Sequence, residues 1–172
     1  MVVGRTPVLV RLVELLEDVC QEVLVAIGKP RPLPFPVEAR LVEDRFPGKG
    51  PLAGIHAALS ATSAEACLVL ACDMPFVRRE LIAVLLERKK SHHAVVFGIN
   101  GYLEPFPGIY PRSLLPQLEE ALGKGELGVQ GFLRRAPCVF LPERLARRVD
   151  PRLISFTNVN TPEDLPREER CV

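Results

Sequence analysis

Apolar residues in this chain fall into two kinds of pattern, short continuous runs and stretches with helical spacing, and the two alternate along most of its length. The most informative run is Cys67-Leu68-Val69-Leu70-Ala71-Cys72, which ends on Asp73-Met74-Pro75. A continuous apolar run of this kind predicts a strand buried on both faces, as in a parallel sheet. It places Asp73 at the carboxyl end of that strand, the edge at which open α/β sheets bind ligands. Shorter runs predict strands at 23–27, 41–42, 94–97, 139–141 and 154–156.

Helical spacing joins Leu9, Leu12, Val13, Leu16, Val19 and Cys20, after a Thr6-Pro7 pair that reads as an N-cap with proline at the first helical position. Pro51 opens a second helix to about 61, and Leu81, Ile82, Leu85 and Leu86 form the inward face of a third over 78–90. Further helices are predicted at 112–122 and 128–135, and Thr161-Pro162-Glu163-Asp164 opens a last one with a capping-box pattern. The prolines of 28–36 and the glycines of 45–50 mark loops, and Asn100-Gly101 marks a tight turn. Strands alternating with helices predict an α/β fold, a doubly wound and mostly parallel sheet in a single domain over residues 1–172.

Composition narrows the partners. Lysine and arginine (22) balance aspartate and glutamate (21), for a net charge of +1, tryptophan is absent and aromatics are 6%. Neither a basic surface nor a base-stacking platform follows, so nucleic acid is not an expected partner. No apolar stretch reaches the roughly 18 residues of a membrane span, and the start carries no signal-peptide pattern. Five cysteines, with no C-x-x-C pair, read as free thiols in a reducing cytoplasm. Cys67 and Cys72 read as small core hydrophobes. His92-His93 reads as a solvated corner, His56 as a packed side chain, and Arg144, Arg147 and Arg148 as a solvated face.

Three polar clusters follow predicted strands: Glu43-Asp44 with its glycine-rich loop, Asp73 with Met74-Pro75, and Asn158-Val159-Asn160. On one sheet edge they could converge on one ligand. Asp73 is the magnesium candidate, because magnesium prefers oxygen ligands and takes one or two carboxylates. Asn158 and Asn160 are two residues apart, so at a strand end both could point one way, toward a metal or a phosphate. The stretch Gly50-Pro51-Leu52-Ala53-Gly54 offers backbone amides at a helix N-terminus, which favour an anion or a base edge. Plainer readings stand beside these: Asp73 as a helix cap, the asparagines as turn residues, and Asp44 as a solvated loop carboxylate.

In order and spacing, these segments resemble the molybdenum cofactor guanylyltransferase family. The matching residues are Val42-Glu43-Asp44, Gly50-Pro51-Leu52-Ala53-Gly54-Ile55, Ala71-Cys72-Asp73-Met74-Pro75-Phe76, Leu103-Glu104-Pro105 with Tyr110, and Asn158-Val159-Asn160-Thr161-Pro162-Glu163-Asp164-Leu165. The resemblance implies a Rossmann-like nucleotidyltransferase fold and transfer of GMP from GTP to molybdopterin, with pyrophosphate leaving. It implies that Asp73 binds magnesium and the nucleotide phosphates, that Asp44 contacts the guanine nucleoside, and that Asn158 and Asn160 shape the metal and substrate side. It also implies transient contact with molybdoenzymes or other cofactor-biosynthesis proteins. A sister enzyme using CTP, or a non-catalytic binding remnant, remain alternatives.

The chain departs from the family pattern in three places. Family members begin with a strand, a glycine-rich phosphate loop and a lysine, all ahead of the position that matches Met1, so the resemblance implies a true start upstream or a frameshift that removed this segment. Gly28 stands where the family often has asparagine, and Leu127-Gly128 where it often has two arginines. Lys49 and Arg5 are candidate sources of the lost positive charge.

Overall fold

The computed structural model describes residues 2–3, 6–28, 33–161 and 164. The chain opens with two short antiparallel strands, β1 (Val2–Val3) and β2 (Thr6–Pro7). Helix α1 (Val8–Glu17) follows, then β3 (Leu24–Ile27) and β4 (Arg40–Glu43), which pair in parallel. Next come α2 (Pro51–Ala61), β5 (Ala66–Val69), α3 (Arg79–Leu86), β6 (Ala94–Ile99) and β7 (Tyr102–Pro111). A 3-10 turn (Arg112–Leu114) leads into α4 (Leu115–Gly123), and α5 (Val129–Leu133), β8 (Cys138–Pro142), α6 (Glu143–Val149) and a 3-10 turn (Ile154–Phe156) complete the order.

The larger sheet runs β5-β7-β6-β8. β7 is antiparallel to both β5 and β6, and β6 is parallel to β8, so β5, β6 and β8 share one direction and β7 alone opposes them. Successive side chains of a strand point to opposite faces. On β6, Ala94 and Val96 enter a core with Leu52, Leu59, Leu118 and Phe132, from α2, α4 and α5. Val95, Phe97 and Ile99 enter the opposite core with Leu81, Leu85 and Ala146, from α3 and α6. Helices on both faces of the sheet make the fold doubly wound, as the alternation predicts.

β7 is the strand the hydrophobic pattern misses. Pro105, Pro107 and Gly108 interrupt it, and these residues ordinarily mark loops or irregular strands. The Asn100-Gly101 turn is nevertheless legible, and it pairs Ile99 with Tyr102 across the hairpin. Gly108 is fixed by close approach. A Cβ there would lie 2.5 Å from the Pro105 carbonyl oxygen and 3.0 Å from Val96 Cγ1. Gly108→Ala should therefore lower stability by about 1–3 kcal/mol, read from the urea midpoint at unchanged slope.

Four other expectations change. The run at 67–72 yields only a four-residue strand, β5, whose residues are each half-buried, and Cys72 is exposed. Residues 154–156 form a 3-10 turn rather than a strand. Thr6 does not cap α1, which begins at Val8 without a side-chain cap. At 161 the capping pattern is visible in part: the Asp164 carboxylate accepts the N–H groups of Asn160 and Thr161 at 2.9 and 2.8 Å. The helix expected beyond it, and Arg5, lie outside the described residues.

The β3–β4 pair and the larger sheet do not join among the described residues. Among the described residues β3 pairs only with β4, and β5 only with β7. Between β3 and β5 runs a cleft of about 980 Å³, walled by Val25 and Ala26, by Leu68 and Leu70, and by Leu12 and Leu16 of α1. This explains the half-buried β5: the strand predicted to be covered on all sides borders the cleft instead.

Candidate active site

Asp73 lies four positions beyond the end of β5, in the turn that leads to α3. Met74, Phe76 and Val77 after it are buried and anchor that turn. The backbone carbonyl of Asp73 accepts the Val159 N–H at 2.7 Å. Val159 is fully buried against Val8, Leu12 and Phe76, while Asn158 and Asn160 on either side of it are exposed. The structure therefore brings the Asn158–Asn160 segment onto Asp73, as expected, although through a loop rather than a strand end. Asp73 Oδ1 is buried with no hydrogen-bond partner among the described residues. A buried, unpartnered carboxylate oxygen is costly unless a cation or donor meets it. That orphan oxygen fits a magnesium ion, which binds through one or two carboxylates and keeps several waters. Among the described residues no group of three or more His, Cys, Asp and Glu could hold a metal, so a transition-metal cage does not fit.

The second cluster follows β4. The Asp44 N–H donates to the Ile27 carbonyl at 3.0 Å, which carries the β3–β4 ladder one residue further. A Cβ on Gly28 would come within 3.9 Å of Asp44 Oδ2, so the site expected of Gly28 does adjoin Asp44. Asp44 Oδ1 is likewise buried and unpartnered. Burial pushes its carboxyl pKa up, and the nearby His56 ring partly offsets this.

Gly50, at φ 67° and ψ −159°, sits in a region open mainly to glycine and turns the chain into Pro51 at the first turn of α2. Pro51 and Gly54 line the cleft that Asp73 also borders, so these two clusters face one space. The Leu52 side chain is fully buried in the core, which leaves its backbone amide as its part in any site. Asp44, Gly50, Leu52, Asn158 and Asn160 are not among the residues that line the cleft.

His56 is packed, as expected: it is 1% exposed and meets the Phe46 ring edge-on at 5.1 Å. Its Nε2 lies 3.3 Å from both Glu119 Oε1 of α4 and Ser60 Oγ. The same Glu119 oxygen accepts Arg45 Nη1 at 3.3 Å. Glu119 thus ties the loop after Asp44 to α2 and α4, a link across 63 and 74 positions that no sequence spacing reveals. Glu119→Ala should lower stability by about 1–2 kcal/mol in urea unfolding, because the buried imidazole loses an acceptor, and Glu119→Gln should keep most of it.

Residues 1–139 match the MobA-like NTP transferase domain. The chain belongs to that family. Among curated relatives of this MobA-like chain is a probable molybdenum cofactor guanylyltransferase of Pelotomaculum thermopropionicum. It is 32% identical over 163 residues, which are 95% of this chain and 79% of the relative. The molybdenum cofactor guanylyltransferase of Desulfosudis oleivorans is 30% identical, over 98% of this chain and 83% of its own length. Among solved structures, the molybdopterin-guanine dinucleotide biosynthesis protein A of Archaeoglobus fulgidus superposes with a TM-score of 0.66 at 38% identity. That match covers 77% of this chain and 67% of the other. The 2-C-methyl-D-erythritol 4-phosphate cytidylyltransferase of Thermus thermophilus superposes at a TM-score of 0.70 with 23% identity, covering 95% and 87%, which supports the fold alone. The MobA-like chain is thus a nucleotidyltransferase by family. Among its described residues no helix is long and apolar enough to cross a membrane.

Proposed function

We propose that this protein transfers GMP from GTP to molybdopterin, forming the guanine dinucleotide form of the cofactor and releasing pyrophosphate. The observation that carries this reading is the Asp73 turn: a carboxylate with an orphan oxygen, beside an asparagine segment tied to its backbone by the 2.7 Å Val159–Asp73 bond, in a chain 32% identical to a probable molybdenum cofactor guanylyltransferase.

In this reading Asp73 would hold magnesium, with Asn158 and Asn160 near enough to orient its waters or the phosphates. When bound, the ion neutralises charge that builds on the α-phosphoryl group and on the departing pyrophosphate. The protein's own contribution is placement. The Val159–Asp73 bond holds the carboxylate, the amides at the start of α2 from Gly50 to Gly54 favour the anionic nucleotide, and the Asp44 carboxylate accepts hydrogen bonds from the nucleoside.

The test is to incubate the protein with molybdopterin, magnesium and either GTP or CTP, and to identify products by mass. Guanine dinucleotide and pyrophosphate from GTP support the reading. A cytosine product supports the sister activity instead, and no product from either nucleotide overturns the transferase proposal.

A further inference from the structure

Asp150 is a carboxylate with no exposed surface, outside every motif described above. It ends α6, and its Oδ2 accepts the Ser155 N–H at 2.8 Å. Its Oδ1 lies 3.7 Å from the Arg78 Nε. Ser155 is also fully buried; its hydroxyl donates to the Phe76 carbonyl at 3.3 Å and accepts the Arg78 N–H at 3.2 Å.

Phe76 and Arg78 belong to the turn that begins at Asp73, and Ser155 lies just ahead of Asn158. The network therefore stitches the Asp73 turn to the asparagine segment a second time, from behind, in parallel with the Val159–Asp73 bond. The turn from Asp150 to Ser155 also carries strain: Leu153 sits at φ 55°, a left-handed conformation unfavourable for a leucine. Such a residue persists where its surroundings over-determine it, and strain of this kind gathers at functional sites.

We infer that Asp150 is a positioning residue for the nucleotidyl-transfer site, fixing the Asp73 turn and the Asn158–Asn160 segment relative to each other through Ser155. The residue type matters. Oδ2 accepts the Ser155 N–H, while Oδ1, with no hydrogen-bond partner among the described residues, keeps its negative charge toward the Arg78 guanidinium at 3.7 Å. An asparagine could still accept the Ser155 N–H but would lose that charge and turn its NH₂ toward the guanidinium. A buried charge held for this purpose is destabilising by itself, so packing alone does not explain it. The inference rests on the proposed reaction for its catalytic consequence only.

The test uses Asp150→Asn and Ser155→Ala, with Leu118→Ala as a core variant remote from the site, at a temperature where circular dichroism shows all three folded. Hydrogen exchange of the Val159 amide reads the Asp73–Val159 bond directly. It is expected to quicken about tenfold in Asp150→Asn and Ser155→Ala, while amides of β6 and the Leu118→Ala protein stay near the parent rate. In turnover, kcat is expected to fall about tenfold with the KM for GTP nearly unmoved, the mark of misplaced reacting groups rather than weakened binding. Unchanged Val159 exchange in both folded variants overturns the inference, as does quickening that Leu118→Ala shares. A parent protein with no GMP transfer defeats the proposed function instead and leaves the exchange result to decide this one.

Discussion

Asp73→Asn is expected to lower GMP transfer by about a thousandfold, with the folding midpoint nearly unchanged. The two halves of this expectation have the same source. Asp73 Oδ1 is buried and meets no donor among the described residues. An amide in its place removes a charge that nothing in the protein uses, so stability has little to lose. In the proposed reaction the same charge would draw magnesium to the phosphates. Charge neutralisation by a metal amounts to several kcal/mol of barrier, and each 1.36 kcal/mol is a factor of ten. The measurements are kcat at saturating GTP, a magnesium titration and a thermal melt. A variant that turns over at the parent rate would show that Asp73 is the helix cap of the plainer reading. A variant that unfolds early would show that the orphan oxygen has a structural partner after all.

Phe97→Ala is expected to lower stability by about 3–5 kcal/mol, a large part of the 5–15 kcal/mol available to a domain of this size. Phe97 is fully buried in β6 among Leu81, Leu85, Ile109 and Leu141. Its ring also meets Phe156 edge-on, at 5.6 Å between centroids. Phe156 ends the 3-10 turn from which the chain runs to Asn158. The cavity left by alanine therefore borders the segment that carries the asparagines. Urea unfolding at unchanged slope gives the stability loss, and a value under about 1 kcal/mol would mean that the core collapses around the site.

How much of this was legible in the sequence depended on the range of the interactions. Local ones read well. Helical spacing located α1, α2, α3 and α4, and Asn100-Gly101 located the β6–β7 hairpin. The ordered motifs located the polar clusters: Asp44 directly follows β4, Asp73 lies in the turn after β5, and Asn158 and Asn160 lie in a loop. Two kinds of feature did not read. β7 was hidden because Pro105, Pro107 and Gly108 carry loop chemistry, and only pairing with strands on both sides makes a strand of them. The supports of the site were hidden because they are distant contacts of ordinary residues. Nothing near Glu119 or Asp150 marks either as a partner of His56 or Ser155. The run at 67–72 departs in the other direction: its apolar character predicts burial on all sides, but among the described residues β5 has a ladder on one edge alone.

That edge has a consequence for how the chain behaves in a tube. Among the described residues β3 and β5 each leave one edge unpaired beside the apolar cleft, and such an edge is a template for pairing with another chain. The protein should scatter more light as its concentration rises, and a soluble fusion partner should not cure this, because that surface belongs to the folded state.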